Sequence, residues 1–527
     1  MHTTSRLNLA RKEFNLGRAL WNCLACNFYY YGVILCLAFV FHATVTKLDA
    51  SKKFSHRLPP GPWQLPVIGS LHHLVRGLPH HTIRDLSMRH GPLMQLRICE
   101  HLVVVVSSAE AAREIFQGPD SAFEQRPSSP GMDDIFSGNS RLGVFFAPYG
   151  ESWRLLRRVL VNELLSARRV QAFQSIRQEE AARLVTPLAS SPPGQLVNLD
   201  KPLAEFIAES SVRAIFGDRL PDRAAFLKMM KRGTDISSVF DLHDLFPSSR
   251  LVRMLPQSHR KKRHRKEVSR LINDIIHCYQ ERKQARDGKR EQDMIDVLLR
   301  IQNETSTRLS LTPRIISALA MEVFFAAVDT STSTLQWAMA QLIANPRVMK
   351  KAQLEVRRVL AGQEGVQEEA LREMHYLKAI VRETLRLHTP GPFIPRVCVD
   401  DQKIQGYDVL QGTIILVNAW AISRDPKYGE NSESFMPERF EGECTLDFKG
   451  LDFEFTPFGA GRRICPGITF AEANIERALA SLLYHFDWEL PSGVKNEEID
   501  MTEAFGFFVK RKTELLIYPI ITYIPPV

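Results

Sequence analysis

Cys465 has the surroundings in this sequence that point most directly to chemistry. It lies in Phe458-Gly459-Ala460-Gly461-Arg462-Arg463-Ile464-Cys465-Pro466-Gly467, and an apolar helical pattern follows from Ile468 to about Tyr484. A cysteine just ahead of a helix meets unpaired backbone N–H groups and the positive end of the helix dipole. Both favour the thiolate, the form that ligates iron. Gly459, Gly461 and Gly467 take side chains away where the loop must bend around the sulfur and the flat face of a cofactor. A structural cysteine in a Gly-rich loop is the plainer alternative, and the full spacing F-x-x-G-x-R-x-C-x-G speaks against it.

Three further groups carry chemistry. Ala326-Ala327-Val328-Asp329-Thr330 sets an acid beside an alcohol among Phe324, Phe325 and alanines, although a hydroxyl run from Thr330 to Thr334 could equally bond back to its own helix carbonyls. Glu383-Thr384-Leu385-Arg386 places Glu383 and Arg386 on one helical face, which alone is an ordinary surface ion pair. Trp153 with Arg157, Arg396 at the end of Pro390 to Arg396, and Arg463 offer donors for carboxylates withdrawn from water.

These residues need elements to hold them. Thr312-Pro313 is a cap and first-turn pair, and the pattern it opens runs to Pro346, long enough to cross a whole domain. A second helix is predicted from about Glu369 to His388, and Leu102 to Ser107 reads as a strand. Helix predominates, with no internal repeat and no break in composition, so one large domain is expected.

On these motifs the chain resembles the cytochrome P450 family. Trp63 to Gly69 after a proline hinge, and Asp244-Leu245-Phe246-Pro247, resemble its plant A-type microsomal branch. The resemblance implies a mainly α fold with small β-sheets, in which haem b lies between a long central helix and the helix of the cysteine loop. It makes Cys465 the axial ligand. It assigns Trp153, Arg157, Arg396 and Arg463, with Phe458, Gly459 and Gly467, to cofactor binding, and Asp329 and Thr330 to proton relay toward bound dioxygen. Arg439 in Phe435-Met436-Pro437-Glu438-Arg439-Phe440 completes a Glu383–Arg386–Arg439 network that supports the loop. Ala327 departs from the family's usual glycine, so the local helix opening is expected to be smaller. Substrate contacts fall in about Gln125 to Phe145, Thr389 to Ile394 and Glu503 to Val509, giving Phe136, Phe145, Ala326, Phe393, Phe505 and Phe507 as an aromatic lining. That lining suits a terpenoid or other lipophilic plant metabolite; aromatic or amino-acid-derived substrates are the alternative.

The implied activity is insertion of one oxygen atom from O2, with electrons from an NADPH-cytochrome P450 reductase, since no convincing dinucleotide fingerprint occurs in the chain. Arg154, Arg158, Arg168 and Arg169 are candidates for the docking surface. A haem-thiolate isomerase or dehydratase working without reductase, and a non-enzymatic haem carrier, are the rival readings.

Cys23 to Val45 is uncharged and long enough to span a bilayer. A tail (1–22), a membrane anchor (23–45), a basic and proline-rich linker (46–64) and a monooxygenase domain (65–527) are therefore expected. The anchor implies a single pass through the endoplasmic reticulum membrane with the catalytic domain on the cytosolic side, or a plastid membrane. A cleaved signal peptide and a transit segment remain open. Leu58-Pro59-Pro60-Gly61-Pro62 reads as a stiff extended hinge. The 527 residues are 44% hydrophobic and 24% charged, with net charge +9 and eight cysteines in no framework spacing, which excludes bulk disorder and a disulfide scaffold. His259 to Lys266 is the densest basic run. Without aromatic interleaving it suggests a solvated or membrane-facing helix start rather than nucleic-acid binding.

Overall fold

The computed structural model describes residues 56–523, apart from 76, 119–121, 128–140, 218–219, 221, 238–241, 257–258, 285–292, 304–310, 364 and 443–445. The expected anchor at 23–45 and Phe136 therefore lie outside the described residues.

The helices that build the site are α1 (Pro79–His90), α2 (Glu151–Val159), α3 (Gln174–Ala189), α4 (Asp200–Phe216), α5 (His259–Gln284), α6 (Pro313–Ala344), α7 (His375–Leu387) and α8 (Ile468–His485). The strands that matter for the site are β1 (Leu93–Ile98), β2 (His101–Val106), β3 (Val197–Asn198), β4 (Phe393–Val397), β5 (Ile414–Asn418), β6 (Phe486–Glu489), β7 (Glu503–Ala504), β8 (Lys510–Arg511) and β9 (Leu516–Ile521). A four-stranded sheet runs β1-β2-β5-β4, with β2 parallel to β5 and the other two pairs antiparallel. A three-stranded sheet runs β3-β9-β6, and β7 pairs with β8.

Helix α6 begins where its cap is: Thr312 Oγ1 accepts the Ile315 N–H at 3.4 Å and Pro313 follows. Its 32 residues pass through the core, with Trp337, Ala338, Met339 and Leu342 fully buried. It is apolar enough to cross a membrane by length and composition, yet here the same character serves burial against α4, α7 and α8. The α6–α7–α8 packing is the frame of the site.

The helix predicted from about Glu369 divides at Met374, a fully buried residue at φ −88°, ψ 74°. A 3-10 turn precedes it, and α7 starts at His375 because the Glu355 carboxylate accepts the N–H groups of Tyr376 and Leu377, both at 2.9 Å. That is an N-cap supplied from another helix, invisible to local pattern.

The proline hinge is not free. Gln95 N–H donates to Pro60 O at 2.7 Å, and a Cβ on Gly61 would come within 2.0 Å of Gln95 O, so the segment is laid against β1 where only glycine fits. The basic run His259 to Lys266 opens α5; His264 and Lys261, three apart, turn inward, while Arg260, Lys262, Arg263, Arg265 and Lys266 are exposed.

Candidate active site

Between α6 and the loop before α8 lies a cavity of about 650 Å³. Cys465, Phe458, Gly459, Gly467 and Phe470 line one side, and Ala326, Ala327, Thr330 and Thr334 the other. Phe145, Phe393, Phe507 and Phe508 close it with apolar surface. Of the aromatic residues predicted for the lining, Phe505 does not belong. It leaves the cavity and its ring stacks on His80 at 6.0 Å and 24°.

The sulfur is held by its loop. Cys465 N–H donates to Phe458 O at 2.9 Å, closing the turn, and Gly467 N–H donates to Cys465 Sγ at 3.4 Å. Burial nevertheless pushes the thiol pKa up, against the opposing pull of that N–H and of Arg157 and Arg126. Desolvation therefore works against the helix-terminus preference for a thiolate read from the sequence, and a metal cation at the sulfur would tip the balance back. Gly467 sits at φ −97° and a Cβ there would find Sγ at 3.8 Å, so its backbone does not itself demand glycine.

Cations crowd one end of the cavity. Arg463 donates to Ala147 O at 2.7 Å and to Phe145 O at 3.3 Å, and Arg157 Nη2 donates to Ile464 O. Trp153 Nε1 donates to Val144 O at 2.9 Å. Arg396 is buried but does not line the cavity; its Nη2 donates to Ala460 O at 3.4 Å. Burial lowers Arg396 and Arg463 to about 10, and burial together with these two neighbours lowers Arg126 well below its ordinary value. Arg126 and Arg463 each keep a buried Nε without a hydrogen-bond partner. Desolvated, mutually repelling guanidiniums with unused donors fit an anionic group such as the haem propionates. Arg126 was not legible in the sequence, where an arginine before a proline in an irregular segment carries no pattern.

Thr330 Oγ1 donates to Ala326 O at 2.6 Å, and Thr334 Oγ1 to Thr330 O at 2.9 Å, so the back-bonded alternative is the one observed. The helix runs unbroken through Ala326–Thr330. Asp329 does not line the cavity; its Oδ1 accepts from Lys510 Nζ at 3.0 Å, tying α6 to β8. Glu383, Arg386 and Arg439 do meet, with Arg386 Nε and Nη2 donating to Glu383 at 2.6 and 2.8 Å and Arg439 Nε 3.5 Å from Glu383 Oε1.

Glu322 was not anticipated. Its carboxylate, buried two turns before Thr330, accepts N–H bonds from Val144 at 2.6 Å and Phe145 at 3.2 Å. A Cβ on Gly143 would overlap it at 2.0 Å, so glycine makes the room. Burial raises its pKa to about 7 in spite of those bonds. A carboxyl raised in the folded state stabilises below its unfolded value near 4.5 and loses that contribution as pH rises toward 7, roughly 3 kcal/mol in the limit. Glu322→Gln keeps an acceptor for both N–H groups and removes the ionisation. It is expected to unfold at higher denaturant than wild type at pH 8 and at a similar concentration at pH 5, as measured by urea titration of the holoprotein. Parallel pH profiles would refute this.

The class so defined is the haem-thiolate enzymes: the cysteine offers the axial ligand, the arginines the counter-charges, and the hollow space for the macrocycle and a lipophilic molecule. The cytochrome P450 family model matches residues 59–517, and the chain belongs to that family. It is 44% identical to desmethyl-deoxy-podophyllotoxin synthase of Sinopodophyllum hexandrum (89% of this chain, 92% of that one) and 41% identical to 5-epiaristolochene 1,3-dihydroxylase of Nicotiana tabacum (92% and 96%). Its fold matches a solved zebrafish cytochrome P450 at TM-score 0.70 and 24% identity, over 84% of this chain and 99% of that one. The protein is accordingly a haem-dependent monooxygenase of specialised metabolism that uses O2, a redox partner and a lipophilic substrate. When bound, the haem iron supplies the activation of dioxygen. The chain would hold the ligand sulfur at Cys465 and place the Arg126 and Arg463 guanidiniums at one end of an otherwise apolar cavity.

Proposed function

We propose that this chain oxidises a terpenoid or a molecule of similar shape and polarity, with electrons from an NADPH-dependent reductase, at the endoplasmic reticulum membrane. The observation that carries the substrate class is the cavity wall over Cys465, where Phe145, Val323, Ala326, Phe393, Ile394 and Phe507 leave the Thr330 hydroxyl among apolar surface. The tobacco relative, named for hydroxylation of 5-epiaristolochene, supports a terpenoid. The 44%-identical relative, named for a podophyllotoxin precursor, keeps aromatic substrates as the second reading. Arg154 and Arg158 are exposed on α2 and Arg168 on the helix Ala167–Ala172, as a docking surface for an acidic reductase face would require, whereas Arg169 is half-buried with its Nε donating to Glu163 O. The test is incubation of the membrane-bound chain with reductase, NADPH and a panel of terpene olefins and aromatic precursors, with products read by mass spectrometry. NADPH-independent turnover would instead favour an isomerase or dehydratase.

In this reading Thr330 Oγ1 and the Asp329 carboxylate pass protons into the cavity. Thr330 gives its own hydrogen to Ala326 O, so its oxygen is free to accept one from the cavity side, and Asp329 must exchange its Lys510 partner to take part. Thr330→Ala is expected to cut product about 100-fold or more while NADPH consumption continues and peroxide accumulates. A haem carrier would be indifferent to the change.

A further inference from the structure

A second cluster of ligating side chains lies outside the cavity, where the first turn of α1 meets β7. His80 Nε2 and His81 Nε2 both approach Glu503 Oε2, at 2.7 and 2.8 Å, and the three ligating atoms lie within 4.8 Å of one another. We propose that His80, His81 and Glu503 form a binding site for a divalent transition metal of the zinc type, which locks the cavity-lining loop after β7 to α1.

Two imidazoles and a carboxylate are a ligand set that suits zinc, with a fourth position left to water. His81 is 40% exposed while His80 is fully buried, so the site has an entrance on one side and a wall on the other. The wall is built. His80 packs edge-on against Trp420 at 4.9 Å and His81 stacks on the same ring at 4.3 Å and 21°, which fixes both ring planes. Behind the carboxylate, His388 Nδ1 stands 3.9 Å from Glu503 Oε1, buried and without a hydrogen-bond partner. His388 is itself clamped by Trp337, stacked at 3.8 Å and 3°, and by Gln341 at 2.7 Å.

In the metal-free arrangement the two imidazoles donate Nε2–H to Glu503. Occupancy would move those protons to Nδ1 and open the ligand–ligand spacing to about 3.3 Å, the tetrahedral edge for bonds of about 2.0 Å. That lengthens each N···O distance by about half an ångström. Glu503 begins β7, and Phe507 and Phe508 reach the cavity four and five residues later. A metal would thus stiffen one wall of the pocket from outside it.

The test uses the full-length holoprotein, stripped with a chelator and then dialysed against zinc chloride. One zinc more per haem is expected in wild type than in His81→Ala, with at least tenfold weaker binding in the variant and an unchanged haem spectrum. Zinc should also raise the wild-type unfolding midpoint and leave that of the variant in place, because a ligand that prefers the folded state stabilises it. Should His81→Ala fail to retain haem, protection of His81 in the wild type from diethylpyrocarbonate by zinc reads the same site. Equal zinc content in wild type and variant, or labelling of His81 at the same rate with and without zinc, would overturn the proposal.

Discussion

Cys465→Ser is expected to leave a folded chain that makes no product. The side chain sits at the end of a turn closed by its own N–H to Phe458 O at 2.9 Å, and serine reproduces that backbone bond and nearly the same volume. It cannot supply a thiolate. The native thiol is already disfavoured as an anion by burial, with Gly467 N–H, Arg157 and Arg126 pulling the other way, so the thiol would release its proton on binding the iron. A hydroxyl, whose pKa lies far higher, cannot follow, and the electron donation that promotes O–O cleavage is lost. The reduced, carbon-monoxide-treated variant should lack the red-shifted Soret band of a thiolate-ligated centre, and turnover should fall by roughly a thousandfold or more. Gly467→Ala is the companion measurement. Its Cβ would meet Sγ at an ordinary 3.8 Å, so it should keep the band; retention of the band by Cys465→Ser would remove Cys465 as the ligand.

What the sequence disclosed about this site follows a physical division. Helix α6 could be read to its ends because its cap, Thr312-Pro313, and its stop, Pro346, are local signals, and the observed Pro313–Ala344 agrees. Helix α8 was equally plain, expected from Ile468 to about Tyr484 and observed as Ile468–His485. The start of α7 was not, because a carboxylate from Glu355, distant in sequence, caps it. The cavity shows the same limit. Cys465, Arg463 and Phe458 announce themselves through one contiguous motif, whereas Arg126 and Glu322 matter only through charges and N–H groups brought to them by other segments. Phe505 went astray for a related reason. The chain bends at residues 506–508, so its ring parts from those of Phe507 and Phe508, and the partner that claims it is His80, more than four hundred residues earlier.

The largest effect on stability is expected at Glu383. The carboxylate is fully buried and takes four contacts: Arg386 Nε and Nη2 at 2.6 and 2.8 Å, Met436 N–H at 2.8 Å, and Arg439 Nε at 3.5 Å. Glu383→Ala removes the counter-charge of a guanidinium that is itself buried, which costs about 3–5 kcal/mol. Replacing both members of a buried pair by apolar residues is often harmless, but here it should not rescue. Arg386 also donates to Ser423 O at 3.0 Å, Ser432 O at 2.6 Å and Ser434 O at 3.2 Å, so Glu383→Leu with Arg386→Met strands three carbonyls. The damage should travel to the haem. Met436 leads into the turn Pro437–Phe440, Phe440 packs on Phe455 at 5.2 Å, and Phe448 joins Phe455 to Phe458 at 5.1 Å, beside the cysteine loop. Loss of the thiolate Soret band in Glu383→Ala is therefore expected at a lower urea concentration than loss of helical circular dichroism. Arg439→Ala, which removes the longer contact to Glu383 and an exposed Nη2 bond to Asn431 O from a less buried side chain, should cost about 1 kcal/mol. A Glu383→Ala variant within about 1 kcal/mol of wild type would show that the segment at 432–436 is held by packing alone, without this network.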